Sequence, residues 1–407
     1  MTNMDIETLA KEYRAHFESS YESDNYYHFC TKQKVHLATP CINIVGTNGK
    51  SITGKILSGI YEKAGFKVGL LLPYFFDSPC EMIRINGTCI SPSEFMKIYD
   101  AKAKDFAKFG LSPFEQIVVI AYEYFNASKL DICVLCASMG GEADATNIER
   151  LDQRLVILTK VALDHTSYLG TTLSQIAMSK VALLREETPI LVGTLDDDCK
   201  KVVQDFADDM SARFIESDSY HHQHTADGMF YFDYRPYKEL AINCLGEAAV
   251  YDACLAIEAT KILQNDFPTT EEAVRAALLE KMLPYRFEQR DRLILDSGNN
   301  VDAMFSLVKA LRTFSKGKPI HVVFGCKANK NVAAMLPPLA NYGCDIHLTT
   351  FDAPQAKAED DFFIFLGDYD FTANPIELVK KLLADYPDDV ILVTGDPLLC
   401  HQVAKGL

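Results

Sequence analysis

The stretch Cys41-Ile42-Asn43-Ile44-Val45-Gly46-Thr47-Asn48-Gly49-Lys50-Ser51 sets an apolar strand directly before a glycine turn that ends in a lysine and a serine. Behind it, Thr53 to Ala64 carries Ile56, Leu57 and Ile60 at helical spacing, so the turn should open a helix. Strand, glycine turn and helix start together make an anion site, because free backbone N–H groups and the positive end of the helix dipole converge there. Gly46, Thr47, Asn48 and Gly49 would form the cradle, Lys50 would reach the β/γ-phosphates of a nucleotide, and the Ser51 hydroxyl would ligate its Mg²⁺. A full P-loop would require glycine at position 44, where Ile44 stands, so the motif is the shorter Gly46-x-x-Gly49-Lys50-Ser51. An ordinary tight turn is the competing explanation. The strand before it and the helix after it favour nucleotide.

Two other clusters invite a metal reading and do not sustain it. Cys133 and Cys136 lie within one expected strand, Asp131–Cys136, where an offset of three puts the thiols on opposite faces. His221-His222-Gln223-His224 follows the polar Glu216–Ser219 and reads as a solvated loop.

Composition narrows the rest. At 407 residues the chain can hold two domains with full cores, and its apolar share of 48% predicts a globular protein throughout. No apolar run is long enough for a membrane span, and no basic-then-apolar N-terminus marks secretion, so a cytoplasmic protein without a membrane partner is expected. A net charge of -16 argues against nucleic acid, whose phosphates need a basic surface. Any phosphate site must therefore be local. The twelve cysteines are scattered and several sit in apolar runs (Cys41, Cys133, Cys244, Cys254), which reads as reduced core thiols.

The elements that must position the turn follow a βα rhythm. Asn86-Gly87 marks a tight hairpin turn, Ser91-Pro92-Ser93-Glu94 opens a helix, and Pro113–Phe125 is another. Strands are expected at 131–136, 155–159 and 190–192, with a helix from Leu173 to Leu184. The pattern loosens around 221–237, and a helix spans Ala248 to Leu263. This alternation predicts an α/β fold with a mostly parallel central sheet covered on both faces. A boundary near Pro284–Arg290 divides the domain that carries the nucleotide turn, residues 1–289, from a smaller α/β domain, residues 290–407. The latter should carry strands at 293–295, 321–324, 345–349 and 390–394 and a helix at 301–313. A cleft between the domains is the default place for an active site.

With these elements in place, the chain resembles the folylpolyglutamate synthase family of the Mur ligase superfamily. Gly46–Lys50 is similar to that family's nucleotide turn, Glu81–Gly87 to the stretch closing its mobile loop, and Phe114-Glu115 to a Phe-Glu helix start. Gly140-Gly141-Glu142-Ala143-Asp144-Ala145-Thr146-Asn147 resembles its Gly-Gly-Arg-x-Asp-Ala-Thr-Asn segment. Leu163–Gly170 and Ile176–Lys180 resemble its Asp-His and Ile-Ala-x-x-Lys motifs. Arg286-Phe287-Glu288 and Asp296–Asn300 resemble its domain junction and its Asp-Gly-Ala-His-Asn strand end. The resemblance implies a Mur-ligase-like P-loop ATPase domain plus a Rossmann-like ligase domain. It also implies a reaction in which ATP phosphorylates a carboxylate and glutamate attacks the acyl phosphate, giving an amide, ADP and phosphate. On the same basis His165 is implied as a ligand of a second Mg²⁺ beside Ser51, and Lys180 as a carbamylated lysine, against the bland alternative of a surface lysine. Lys50, Lys180 and His165 are thus the expected catalytic residues. Arg286 and Asp296 are expected to join the turn in substrate binding.

Several positions depart from the family pattern. Its Ser-Pro-His loop reads Leu72-Pro73-Tyr74, its strand-end Glu is Cys136, and its Gly-Gly-Arg becomes Gly140-Gly141-Glu142. Its His-Gln…Asn set reads Ala248-Ala249…Asp252, its strand-end His is Asn299, and a later Arg is Gln355. A leucine cannot coordinate a cation, and a thiol suits Mg²⁺ poorly. Asp77, Glu81 and Glu115 are the candidate substitutes. The expectation is an ATP- and Mg²⁺-dependent ligase for glutamate and a folate-like acceptor, acting on small molecules, as a monomer unless a partner subunit joins it. A non-catalytic nucleotide-binding homologue, or a ligase with another acceptor, is the alternative.

Overall fold

The structure, a computed structural model, describes residues 4–16, 23–226, 228–244 and 246–407. The chain falls into two compact units. One comprises residues up to 222 with 232–241 and 251–280; the other comprises 281–407 with 223–231 and 242–250.

The first unit is built on the run Leu37–Val45 (β1), whose last five residues are all buried. A strand with water on neither face needs a continuous apolar run, and β1 lies at the middle of its sheet. The other strands are Val68–Leu71 (β2), Ile83–Ile85 (β3), Thr88–Cys89 (β4), Ile132–Cys136 (β5), Leu151–Leu158 (β6), Ile190–Val192 (β7) and Phe214–Glu216 (β8). They form an eight-stranded sheet in the order β4-β3-β2-β5-β1-β6-β7-β8. Pairing is parallel from β2 to β8, and only β3 and β4 run antiparallel to their neighbours. The β3–β4 turn has Asn86 and Gly87 at φ 45° and 70°, the pair of positive dihedrals an Asn-Gly hairpin requires. Because β1 lies between β5 and β6, its C-terminal end is where the strand order switches direction. In register, Ile44 pairs Cys136 on one side and Ile157 on the other.

Helices cover this sheet, and their starts follow from their caps. Ser91 accepts from Glu94 N, Ser112 from Glu115 N and Thr172 from Gln175 N, each satisfying an orphan first-turn amide. The helix expected from Thr53 begins earlier, at Lys50. Gly49 adopts a left-handed conformation (φ 92°), so the turn ends there without the side-chain cap by which helix starts are usually recognised. A separate three-stranded sheet, His221–Ala226 (β9), Met229–Tyr234 (β10) and Tyr237–Ile242 (β11), occupies the Tyr-rich stretch. The 221–224 segment is thus a strand rather than a loop, although its side chains are all exposed as expected. His222 Nδ1 lies 2.8 Å from Asp233 Oδ2, and His224 stacks on Tyr231.

The second unit carries Glu288–Arg290 (β12), Leu293–Asp296 (β13), Ile320–Phe324 (β14), Asp345–Thr349 (β15), Asp370–Thr372 (β16) and Val390–Thr394 (β17). Their order is β12-β13-β17-β14-β15-β16, parallel except for β12. Nine of the twelve cysteines are buried and three are partly buried, all as free thiols. Among the described residues no helix is long and apolar enough to cross a membrane.

Candidate functional site

The β1 turn is tied down by its own backbone and by β6. Thr47 N donates to Lys160 O (2.6 Å), and Thr159 Oγ1 donates to Asn48 O (2.6 Å). Gly46 must be glycine: its φ is 144°, and a Cβ there would lie 2.0 Å from Thr159 Oγ1. Gly49 is equally constrained, since its Cβ would lie 2.2 Å from Asp252 Oδ1. The Asp252 carboxylate therefore packs against the turn where the family pattern has an amide. Lys50 folds back over the turn, with Nζ donating to Gly46 O (2.8 Å) and Thr47 O (3.3 Å). Ser51 is buried in the first turn of the helix, whose first amides lie outside its own ladder.

The neighbouring strand end is closed tightly. Cys136 is fully buried, and its Sγ donates to Lys50 O (3.4 Å). Burial pushes this thiol up to about 12, against a smaller opposing pull from Lys50. It stays protonated and offers no metal ligand at neutral pH. Leu72 is buried too. Of the candidate substitutes, Glu81 accepts from the amides of Phe76, Asp77 and Ser78, each at 2.9 Å. Glu115 caps its helix by accepting from Ser112 N (2.7 Å) and Ser112 Oγ (2.9 Å). Both carboxylates are engaged in shaping their loops, and Asp77 lies exposed.

The Gly140–Asn147 segment folds around Asp144, which accepts from Ser138 N (2.8 Å), Met139 N (3.1 Å), Thr146 N (3.0 Å) and Thr146 Oγ1 (2.7 Å). Burial raises this carboxyl above the usual range, while these four donors oppose the rise. Gly141 lets the segment lie on the helix Leu173–Val181: a Cβ there would sit 1.9 Å from Lys180 O. The Glu142 side chain is exposed.

Lys180, on that helix, is only 3% exposed, so it is no surface lysine. Burial lowers its ammonium to about 7; Lys50 adds to the drop, and Asp164 and Asp144 oppose it. The two lysines of the motif reading and two acids thus share one electrostatic environment at the switch point. His165 follows directly, with φ 49°, its amide donating to Asp164 Oδ1 (3.0 Å) and its Nε2 3.9 Å from Asp164 Oδ2. Gly46, Thr47, Asn48, Gly49, Lys50, Ser51, Lys180 and His165 all belong to the first unit.

Arg286 and Asp296 lie in the second unit. Asp296 ends β13 and accepts from Phe287 N and Gly298 N, both at 2.9 Å. Burial raises its carboxyl, opposed by the Gly298 amide and by Arg286. Asn300 caps the next helix through Ala303 N. The ends of β13, β14 and β17 meet closely here: Gly395 N donates to Gly298 O (3.0 Å), and a Cβ on Gly395 would lie 2.4 Å from Gly325 O. Asp396 and Tyr285, whose hydroxyl lies 2.9 Å from His401 Nδ1, complete this rim. Sequence reasoning did not single out Asp396, His401 or Thr159. The only signal was a polar residue closing a buried apolar strand, as Thr159 and Thr394-Gly395-Asp396 do.

Two α/β units, one with a phosphate-type turn at its switch point, give the architecture seen in Mur-ligase-type folds. Residues 285–396 match the family model described as Mur ligase, glutamate ligase domain. The folylpolyglutamate synthase of Lacticaseibacillus casei is 25% identical over 385 residues, covering 90% of this chain and 89% of that protein. A folylpolyglutamate synthase from Mycobacterium tuberculosis, solved with ADP, superposes with a TM-score of 0.87 at 20% identity over 98% of this chain and 96% of that one. An FPGS–AMPPCP–folate complex does so with a TM-score of 0.83 at 22% identity over 99% of each chain. Over nearly its whole length, the chain is thus similar to folylpolyglutamate synthases.

Proposed function

We propose that this protein is an ADP-forming ligase that joins glutamate to the carboxylate of a folate through an acyl phosphate. The observation that carries this is the pairing of the Lys50 turn with a buried Lys180 poised near neutrality, at the switch point of the sheet. Relatives named for this reaction span nearly the whole chain, and one likeness holds an ATP analogue with folate.

ATP would lay its phosphates over Gly46–Ser51, with Lys50 leaving the Gly46 and Thr47 carbonyls to neutralise the transferred group. Phosphoryl transfer needs positioning and charge stabilisation more than covalent help, and a lysine with helix-start amides supplies both. The acceptor carboxylate attacks the γ-phosphorus, ADP leaves, and the glutamate amine then displaces phosphate from the acyl carbon. Glutamate would bind at the Asp296–Asn300 strand end with Arg286, because ligands of open α/β sheets sit at carboxyl ends of strands. Near the turn, Ser51 offers a hydroxyl and Asp164 a carboxylate, hard oxygens that fit Mg²⁺, and His165 offers an imidazole, a softer donor that the resemblance implies. When bound, the ion would neutralise phosphate charge. A carbamate on Lys180 would add a further oxygen donor.

A second reading, a nucleotide-binding homologue without catalysis, is favoured by one observation: Cys136 and Leu72 are buried, and Glu81 and Glu115 are engaged elsewhere. The deciding assay measures ADP release with folates and glutamate across Mg²⁺ and Mn²⁺ titrations. Turnover that requires both substrates, at raised metal, is expected. Turnover with glutamate and a different acid would replace the acceptor. ADP binding with no turnover under any condition would establish the second reading.

A further inference from the structure

At the opposite end of the second unit's sheet from the Asp296 rim, the strands start with a different cluster. His321 and Asp345 are register partners on β14 and β15, and His347 follows Asp345 by two, on the same face of β15. Asp345 Oδ2 lies 2.9 Å from His321 Nδ1 and 3.1 Å from His347 Nε2. Ligand atoms of all three residues fall within 4.8 Å of one another. Four atoms arranged tetrahedrally about 2.0 Å from a zinc-type ion stand about 3.3 Å apart, so these spacings need little adjustment.

We propose that His321, Asp345 and His347 form a site for a divalent transition-metal ion of the zinc type. Three observations carry it beyond proximity. His347 Nε2 is buried from water, and although it lies near Asp345 it makes no hydrogen bond, so its lone pair or proton is unused. His321 is held from behind: its Nε2 lies 3.1 Å from Asp389 Oδ2, the carboxylate–imidazole pairing that orients a metal-bound histidine and fixes its tautomer. Tyr386 stacks on the same ring with centroids 3.9 Å apart, holding its plane. The charges also balance, since two carboxylates and two neutral imidazoles match a dication. Two nitrogens and one oxygen suit zinc, nickel or copper, and exclude the all-oxygen preference of magnesium and calcium. Asp345 is more than half exposed, leaving the fourth position to solvent. The ion would clasp the starts of β14 and β15, with Asp389 bringing in the residue just before β17.

Chelator-treated protein is titrated with zinc chloride by calorimetry. One site per chain is expected, with a raised melting temperature. His347→Ala should remove that site. Asp389→Asn, which leaves all three ligands, should weaken it roughly 10- to 100-fold. Cobalt(II) loaded instead should show d–d bands without thiolate charge transfer, which separates this site from the twelve cysteines. No zinc bound by the folded wild-type chain, or binding unchanged in both variants with circular dichroism intact, overturns the proposal.

Discussion

Lys180 stands between a cation and a nucleophile, and its environment sets a measurable pH signature. Its folded value of about 7 lies below the ordinary 10.5, so between these limits the unfolded chain binds a proton that the folded chain does not. Stability should therefore rise with pH across that window and be least favoured below about 7. In Lys180→Met the denaturation midpoint, measured without carbon dioxide, should lose this part of its slope; an identical slope would contradict the burial assignment. With labelled bicarbonate, wild type should give a carbamate carbon signal that grows with pH and is absent from Lys180→Ala. Around the turn, two substitutions should act with opposite signs on ADP affinity. Lys50→Ala removes the positive charge over the cradle and should weaken binding at least tenfold. Asp252→Asn removes a carboxylate packed against Gly49 and should strengthen binding several-fold, because like charges a few ångströms apart repel. Calorimetry reads both, and equal affinities would dismiss the turn as the phosphate site.

Between elements, the closest approach is Gly141 upon the helix Leu173–Val181. A methyl group there meets Lys180 O at 1.9 Å, so Gly141→Ala must part the loop from the helix that carries Lys180. It should cost on the order of 1–3 kcal/mol in stability, as overpacking does, and raise the Lys180 value by admitting water. Unchanged stability would mean the loop yields freely. How far such features could be read beforehand depends on the range of the interaction. The β1 strand with its glycine turn and the helices opening at Ser91-Pro92 and at Pro113 are local patterns, and the structure carries them as the residues announce. Gly49 ended the turn without a polar cap, so the helix began three residues before its apolar stripe suggested. Lys180 gave no sign of burial, because what covers it comes from segments distant in sequence. The histidines that stand out, at 221–224, lie on an exposed strand, whereas His321 and His347 meet only through the pairing of β14 with β15.

At the scale of the whole molecule, a strongly acidic chain must hold anionic substrates by short, local devices, and the proposed ones lie in separate units. Hydrogen exchange should therefore show two footprints: ADP protecting amides of Thr47–Ser51, and glutamate protecting those of Ser297–Asn300. A single footprint shared by both ligands would remove the strand-end assignment. The buried thiols carry one more consequence. Cys30, Cys41, Cys80, Cys133, Cys136, Cys199 and Cys254 fall in the first unit, and Cys326 and Cys400 in the second. Burial holds most of them protonated, with Cys136 and Cys326 each near 12, so an alkylating reagent can modify them only when the surrounding chain opens. The protein thus contains its own clocks. Pulsed alkylation followed by peptide mass spectrometry would time the opening of each unit within one sample, and reveal whether they come apart in one event or two.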